Sequence, residues 1–405
     1  CRFREIDPEY FEVFKSLHTF NISDVELESL QPKVFQEATE LTILIASQNK
    51  LTEIPSLSFN YNYKLEHVDF SQNIIKKVDP LAFIGADNIR SLDLSQNKLT
   101  ELSDQLFKNL INLKYLNISH NSIDKFDSNH VCSSKLLKLD LSYNNLTYLS
   151  NHLFDRTTEM KVLDLSFNSI GNLNVEIFAF MPNLERLNLR HTKMTSIQLG
   201  TFSHQHKLIS LDLSENHLKE VNFGLFMPVM HDLKILRLGG NQLSHLNGFR
   251  NALFPELTLL DIMNNAFNCS YLQHFMEIID WKNLHLHFVP RSTKEDETNI
   301  RGISCNYTIY EPTVNNNEEK NETHVEFESL EEIVNELKLN SESHDKFVKT
   351  MSILIFIVFL AYFVVFIILN RDRLTNLYNK SELSNNQPIS ATYNRERAET
   401  LLLPK

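Results

Sequence analysis

One pattern governs this chain: Leu-x-x-Leu-x-Leu-x-x-Asn-x-Leu returns along most of its length. The repeats open at Leu17, Leu41, Leu65, Ile89, Leu113, Leu136, Met160, Leu184, Leu208, Leu233 and Leu257. Neighbours are 24 residues apart, except Leu113 to Leu136 at 23 and Leu208 to Leu233 at 25. A repeat of this length cannot bury its own apolar face, so successive repeats must stack into one continuous core. The expected fold is an α/β solenoid, a leucine-rich-repeat horseshoe with one strand and one loose convex segment per turn.

Each repeat position has a physical role. Apolar residues at positions 1, 4, 6 and 11, such as Ile89, Leu92, Leu94 and Leu99, are expected to point inward. Positions 3, 5 and 7 are expected to point outward, because strand side chains alternate with period two. Asparagine at position 9 turns the chain, its amide meeting backbone groups that would otherwise be buried unpaired. It stands at Asn49, Asn73, Asn97, Asn121, Asn144, Asn168, Asn216, Asn241 and Asn265. A second column, Phe35, Phe59, Phe83, Phe107, Phe154, Phe178, Phe202 and Phe226, is expected to fill the convex side.

Around this solenoid, residues 1–16 read as an N-terminal lead-in, 17–268 as the repeats and 269–310 as a C-terminal cap. The cap begins with an amphipathic stretch through Leu272, Phe275 and Ile279, and a Cys269–Cys305 disulfide is expected to close it. Residues 311–350 turn rich in Glu, Asn and Ser, a linker composition. Within them Phe327, Leu330, Val334 and Leu337 fit either a short helix or a dimer zipper of barely two heptads. Met351–Leu369 carries no charge over 19 residues. At ~1.5 Å per residue it would span the bilayer core, so 351–369 is expected to be a transmembrane helix. Residues 370–405, opening with Arg371 and Arg373, then form the cytoplasmic tail.

The expected topology is single-pass type I at the plasma membrane, with the repeats extracellular. The first residue is Cys1, consistent with removal of a signal peptide. Six Asn-x-Ser/Thr sequons, at Asn21, Asn117, Asn145, Asn268, Asn306 and Asn321, precede the apolar stretch and are candidate glycosylation sites. Asn21 and Asn117 share position 5, where glycans would cover part of the sheet face. Cys132 falls in the convex loop of the shortened fifth repeat, too far along the solenoid from Cys1 to bridge to it. It is either a free thiol or an intermolecular disulfide.

The outward surface is the candidate binding surface. Position 5 runs Asp69, Asp93, Asn117, Asp140, Asp164, Asn188, Asp212, Arg237 and Asp261, and position 7 is Ser in eight of the first nine repeats. Such an acidic stripe favours a cationic protein partner. The eighth repeat departs from it: Thr192 replaces the asparagine, and Arg186, Arg190 and His191 add positive charge. With Arg237 two repeats on, these residues form either a site for an acidic ligand group or a drifted repeat whose arginines pair with Asp164 and Asp212.

Other functions find little support. The net charge is -12, which disfavours nucleic acid and anionic lipid surfaces. Sixteen His, with His204/His206 and His285/His287 the nearest to pairs, show no metal-ligand spacing. The chain carries 8 Gly and no phosphate loop, nucleophile elbow or paired catalytic carboxylates, so neither enzyme nor cofactor is expected. The short tail cannot house a signalling domain.

The repeats, as in Ile-Arg-Ser-Leu-Asp-Leu-Ser-Gln-Asn-Lys-Leu at 89–99, resemble those of insect extracellular leucine-rich-repeat proteins. Asn-Cys-Ser-Tyr-Leu at 268–272 and Asn-Ile-Arg-Gly-Ile-Ser-Cys at 299–305 are similar to segments of the insect leucine-rich immune proteins, most like a membrane-anchored branch. The resemblance covers residues 1 to about 305 and implies recognition or scaffolding of other proteins in innate defence. The chain departs from the secreted members by lacking a long C-terminal coiled coil. The leading expectation is therefore a cell-surface recognition receptor or co-receptor for an extracellular or cell-surface protein, alone or as a dimer. The alternatives are a cell-adhesion protein and a decoy or ligand-presenting receptor.

Overall fold

The structure, a computed structural model, describes residues 4–6, 8–127, 130, 133–198, 200–223, 230–279, 284–286, 299–300 and 303–306. Cys1, Cys132, Phe226, His287, Asn321, the linker 311–350, the apolar stretch 351–369 and the tail 370–405 lie outside these residues. Among the described residues, no helix is long and apolar enough to cross a membrane.

Every repeat contributes one short strand to a single twelve-stranded parallel sheet, running in chain order from Thr19–Asn21 to His285–Leu286. The register is set by the repeat itself: Leu92 pairs with Val68 on one side and Leu116 on the other. The position-4 residue of each full repeat strand after the first is buried between two partly exposed neighbours, as in Ser91–Asp93. Positions 1, 6 and 11 are buried as well, for example Ile89, Leu94 and Leu99. Each such leucine contributes about 1.5–3 kcal/mol by leaving water. The described solenoid is thus one elongated core, with each turn supported by its neighbours.

The position-9 asparagines tie the turns together. Asn168 is buried; its Oδ1 accepts the Leu146 amide at 3.0 Å, and its Nδ2 donates to the carbonyls of Leu141 and Leu165. The same arrangement recurs at Asn73, Asn97 and Asn241. On the side away from the sheet, Phe35, Phe59 and Phe83 stack at 5.4 and 5.6 Å, and Phe154, Phe178 and Phe202 at 6.4 and 6.0 Å.

One expectation about the surface is corrected. Most position-7 serines do not point outward: Ser95, Ser119, Ser142, Ser166 and Ser214 are buried, and only Ser23, Ser47 and Ser71 stay half-buried. The strands end at position 5, so two-residue alternation no longer holds two residues later. Instead the buried serines fold back on position 5. Ser166 donates both its amide and its hydroxyl to Asp164 Oδ1, at 2.9 and 2.6 Å, and Ser142 and Ser214 do the same to Asp140 and Asp212. The acidic stripe is therefore half spent on closing its own turns.

At the far end, helix Cys269–Ile278 buries Leu272, Phe275 and Met276. Its N-terminus is capped by Asn268, whose side chain accepts from the amides of Ser270 and Tyr271. The Tyr271 hydroxyl accepts from the Leu246 amide at 2.7 Å, and burial pushes this phenol above its ordinary range. Cys269 and Cys305 are joined by a disulfide in this segment, with Cα atoms 5.0 Å apart. Strand His285–Leu286 adds to the sheet beside Leu259–Asp261.

Candidate interaction surface

The outward face of the sheet carries the residues singled out from the sequence, but the structure pairs them differently. Arg190 does not meet Asp164. Its Nη2 lies 2.5 Å from Glu215 Oε1, and this bond, ahead of any other cause, raises the guanidinium above its ordinary value. Asp164 is held by neutral groups: Ser166 on one oxygen and the Asn188 amide, at 2.8 Å, on the other. Arg237 does lean on Asp212, its Nη1 3.8 Å from Oδ2. His191 Nδ1 lies 3.8 Å from the second oxygen of Glu215. Arg186 is exposed on its strand. The basic island is thus largely neutralised from within, and Glu215 was the residue that sequence reasoning missed.

Thr192, the one departure from the asparagine ladder in the central repeats, keeps its turn by a substitute. Asn216 Oδ1 of the next repeat reaches back to the Thr192 amide at 2.9 Å. The Thr192 hydroxyl bonds the Leu189 carbonyl at 2.8 Å.

Asp140 is less well served. Its carboxyl is pushed above the usual carboxylate range by burial first, with the neighbouring Asp164 adding to the effect against the bonds from Ser142. Lys138, on the same strand, acts on it only weakly. The contrast with Asn117, which donates to Asp93 at 3.0 Å, shows what an amide achieves at this position.

Beside this row runs a column at position 8 with a backbone of its own. Gln48, Gln72, Gln96, His120, Tyr143, Phe167, His191 and Glu215 all adopt φ between 53° and 57°. This left-handed turn is uncommon for bulky side chains. In repeats two and three the column is an amide ladder, with Gln48 donating to Gln72 at 3.1 Å. From His120 onward it becomes aromatic. His120–Tyr143 and Tyr143–Phe167 stack at 4.1 Å with planes nearly parallel, at 11° and 10°, and Phe167–His191 follows at 5.1 Å. The Arg190 guanidinium lies 5.4 Å from the Phe167 centroid. Tyr143 is 43% exposed, and His120 and His191 are exposed as well. Reading position 8 down the repeats would have revealed the column; reading along each repeat hid it.

Two further places have the makings of a site. Asp104, Asp127 and His130 gather three groups of the types that bind metals, although no ligand spacing announced them. His130 is buried, with Nε2 3.1 Å from the Leu102 carbonyl and Nδ1 3.0 Å from Asp127 Oδ1, while Lys125 occupies the other Asp127 oxygen at 3.0 Å. These contacts are a structural pin for the shortened repeat, and Lys125 already supplies the cation. At the opposite end, Ile6, Phe11, Phe14, Leu17 and Phe20 line a hollow of about 460 Å³ against the first coil.

The sequons differ in availability. Asn145 and Asn306 are exposed. Asn21 is exposed on the first strand, its Oδ1 accepting from Ser23. Asn117 is half-buried, and the Nδ2 that would carry a glycan is the atom bonded to Asp93. Asn268 caps the C-terminal helix through its side chain.

Comparison with known proteins agrees with this architecture. A BspA-type leucine-rich-repeat region matches residues 4–138, and further leucine-rich-repeat models match 132–149 and 158–218. No curated protein matches the chain. Among solved structures, the Leptospira interrogans LRR protein LIC12759 is similar at 24% identity, covering 71% of this chain and 76% of its own, with a TM-score of 0.57. The APL1 leucine-rich repeat domain is similar at 21% identity, with 75% and 88% covered and a TM-score of 0.54. A chain of the octameric complex of Latrophilin 3, Unc5D and FLRT2 is similar at 18% identity, with 71% and 91% covered and a TM-score of 0.56. What these likenesses share with the chain is its backbone: a parallel-strand solenoid built from leucine-rich repeats, a fold typical of protein-binding proteins.

Proposed function

We propose that this chain is a single-pass cell-surface protein that binds an extracellular protein through the outward face of its solenoid, as a recognition receptor or co-receptor. The observation that carries the reading is the sheet face itself. It is a row of partly exposed side chains on a rigid parallel scaffold, flanked in repeats five to eight by a column of stacked aromatic rings. No catalytic constellation competes with it among the described residues, and the reading assigns no enzyme activity. The uncharged stretch 351–369 and the sequons before it support export and anchoring. A role in innate defence is supported by the resemblance to the insect leucine-rich immune proteins. Cell adhesion is the second reading, supported by the likeness in fold to a chain of the Latrophilin 3–Unc5D–FLRT2 complex.

Topology is the first test. In cells expressing the full chain, an epitope placed before Arg4 should stain without permeabilisation, and one after Lys405 only with it. Staining of both, or of neither, on intact cells would overturn the anchored reading. Glycosidase treatment should lower the apparent mass, and alkylation without reductant should leave Cys269 and Cys305 unlabelled. A dimer that reductant dissolves, and that Cys132→Ser also abolishes, would assign Cys132 to an intermolecular bridge.

A further inference from the structure

The aromatic column His120–Tyr143–Phe167–His191 is placed where a core has no use for it. The apolar interior of the same repeats is already filled by Leu139, Leu163 and Leu187 and by the phenylalanine stack on the other side. The column instead stands at the rim, in a backbone conformation that glutamine serves equally well in repeats two to four. Because the rings stack on one another, their faces are mutually covered and their C–H edges line the rim, with Tyr143, stacked on both sides, 43% exposed. Strips of stacked exposed rings are characteristic of protein-binding surfaces, where rigid aromatic side chains supply contact area at low entropic cost.

Charge selects the partner. Three residues before Tyr143 and Phe167 on the same turns stand Asp140 and Asp164, adjacent in register across two strands. Two repeats beyond Asp164, the protein supplies its own cation to the acidic row, where Arg237 leans on Asp212; one repeat beyond Phe167, Arg190 lies over its ring. Among the described residues no ion pair reaches Asp140; its register neighbour Asp164 is acidic, and Lys138 stands two residues before it on the same strand.

We propose that the rim of repeats six and seven binds an extended segment of a protein partner that places a Lys or Arg at Asp140 and Asp164 and an aromatic side chain along the Tyr143–Phe167 edge. The pairing of Arg237 with Asp212 is the internal version of the first of those contacts. The proposal rests on the protein-binding reading above and narrows it to one surface and one partner chemistry.

The test uses the full chain on cells and fluorescent twelve-residue synthetic peptides alternating Arg or Lys with Tyr or Phe. Two counterpart sets replace the basic residues by Glu or the aromatic residues by Ala. The expected result is binding of the basic–aromatic set alone, weakened about tenfold or more by Tyr143→Gln with Phe167→Gln. Glutamine already serves at this position, so surface display should persist. Asp140→Lys, which leaves the rings untouched and mimics Arg237 beside Asp212, should weaken binding by a similar factor. Equal binding of the acidic counterparts, indifference to both variants, or no binding of any peptide overturns the proposal. Binding that survives both variants would leave the protein-binding reading standing while removing this surface from it.

Discussion

The rim column of this solenoid is two different surfaces on one backbone. In repeats two to four it is Gln48, Gln72 and Gln96; in repeats five to eight it is His120, Tyr143, Phe167 and His191, all at the same positive φ. The amide stretch bonds to itself and faces water, whereas the aromatic stretch stacks on itself and leaves apolar edges exposed. The position-4 apolar residues run buried through both stretches. The buried leucines and asparagines set the turn, and the side chain at its tip is left open to vary. On the proposed reading, stability and recognition are carried by separate columns of the same repeat.

The sharpest way to break that separation is to damage the buried columns. Phe178→Ala removes the middle ring of the Phe154–Phe178–Phe202 stack and should cost about 3–5 kcal/mol. Hydrogen exchange should show the loss concentrated in the repeats on either side, because each turn is supported only by its neighbours. Next, Asn168→Ala leaves the Leu146 amide and the Leu141 carbonyl without their side-chain partner inside the core and should cost about 3 kcal/mol. A loss below about 1 kcal/mol by the same exchange measurement would mean that the asparagine ladder is dispensable.

Smaller effects are expected at the surface row. Asp140 titrates above its unfolded range in the fold, so ionising it works against the folded state. That penalty is absent below the unfolded carboxylate pKa, sets in as pH rises through the carboxylate range and is complete above the folded value. Asp140→Asn should therefore raise stability by about 1 kcal/mol or less at pH 7, with the gain fading toward pH 3 in a series of melts. A gain that grew on acidification would contradict the assignment. In contrast, Arg190→Gln should change stability little, since its bond to Glu215 is between partly exposed groups.

The fold was legible because the repeat is long, regular and made of residues whose burial leaves little choice: Leu92, Leu94 and Asn97 lie where their positions demanded. The surface was less legible. Ser166 was expected to face outward because strand alternation was carried past the strand's last residue, Asp164, where the turn toward Asn168 had already begun. Arg190 was matched with Asp164 by repeat position, whereas its side chain reaches forward to Glu215, in the next repeat's position 8. Side-chain length and direction decide that choice, and the one-dimensional pattern carries neither. The trio Asp104, Asp127 and His130 escaped for a related reason, since Asp104 reaches the other two only across stacked turns.

The separation of columns is tested most directly by melting the full chain carrying Tyr143→Gln and Phe167→Gln beside the wild type. If the aromatic rim serves recognition and the buried columns serve stability, the two melts should agree to within about 2 °C, a difference of less than about 1 kcal/mol. A fall of about 8 °C or more would show that the stacked rings hold the solenoid together, and the rim would then belong to the fold rather than to a partner.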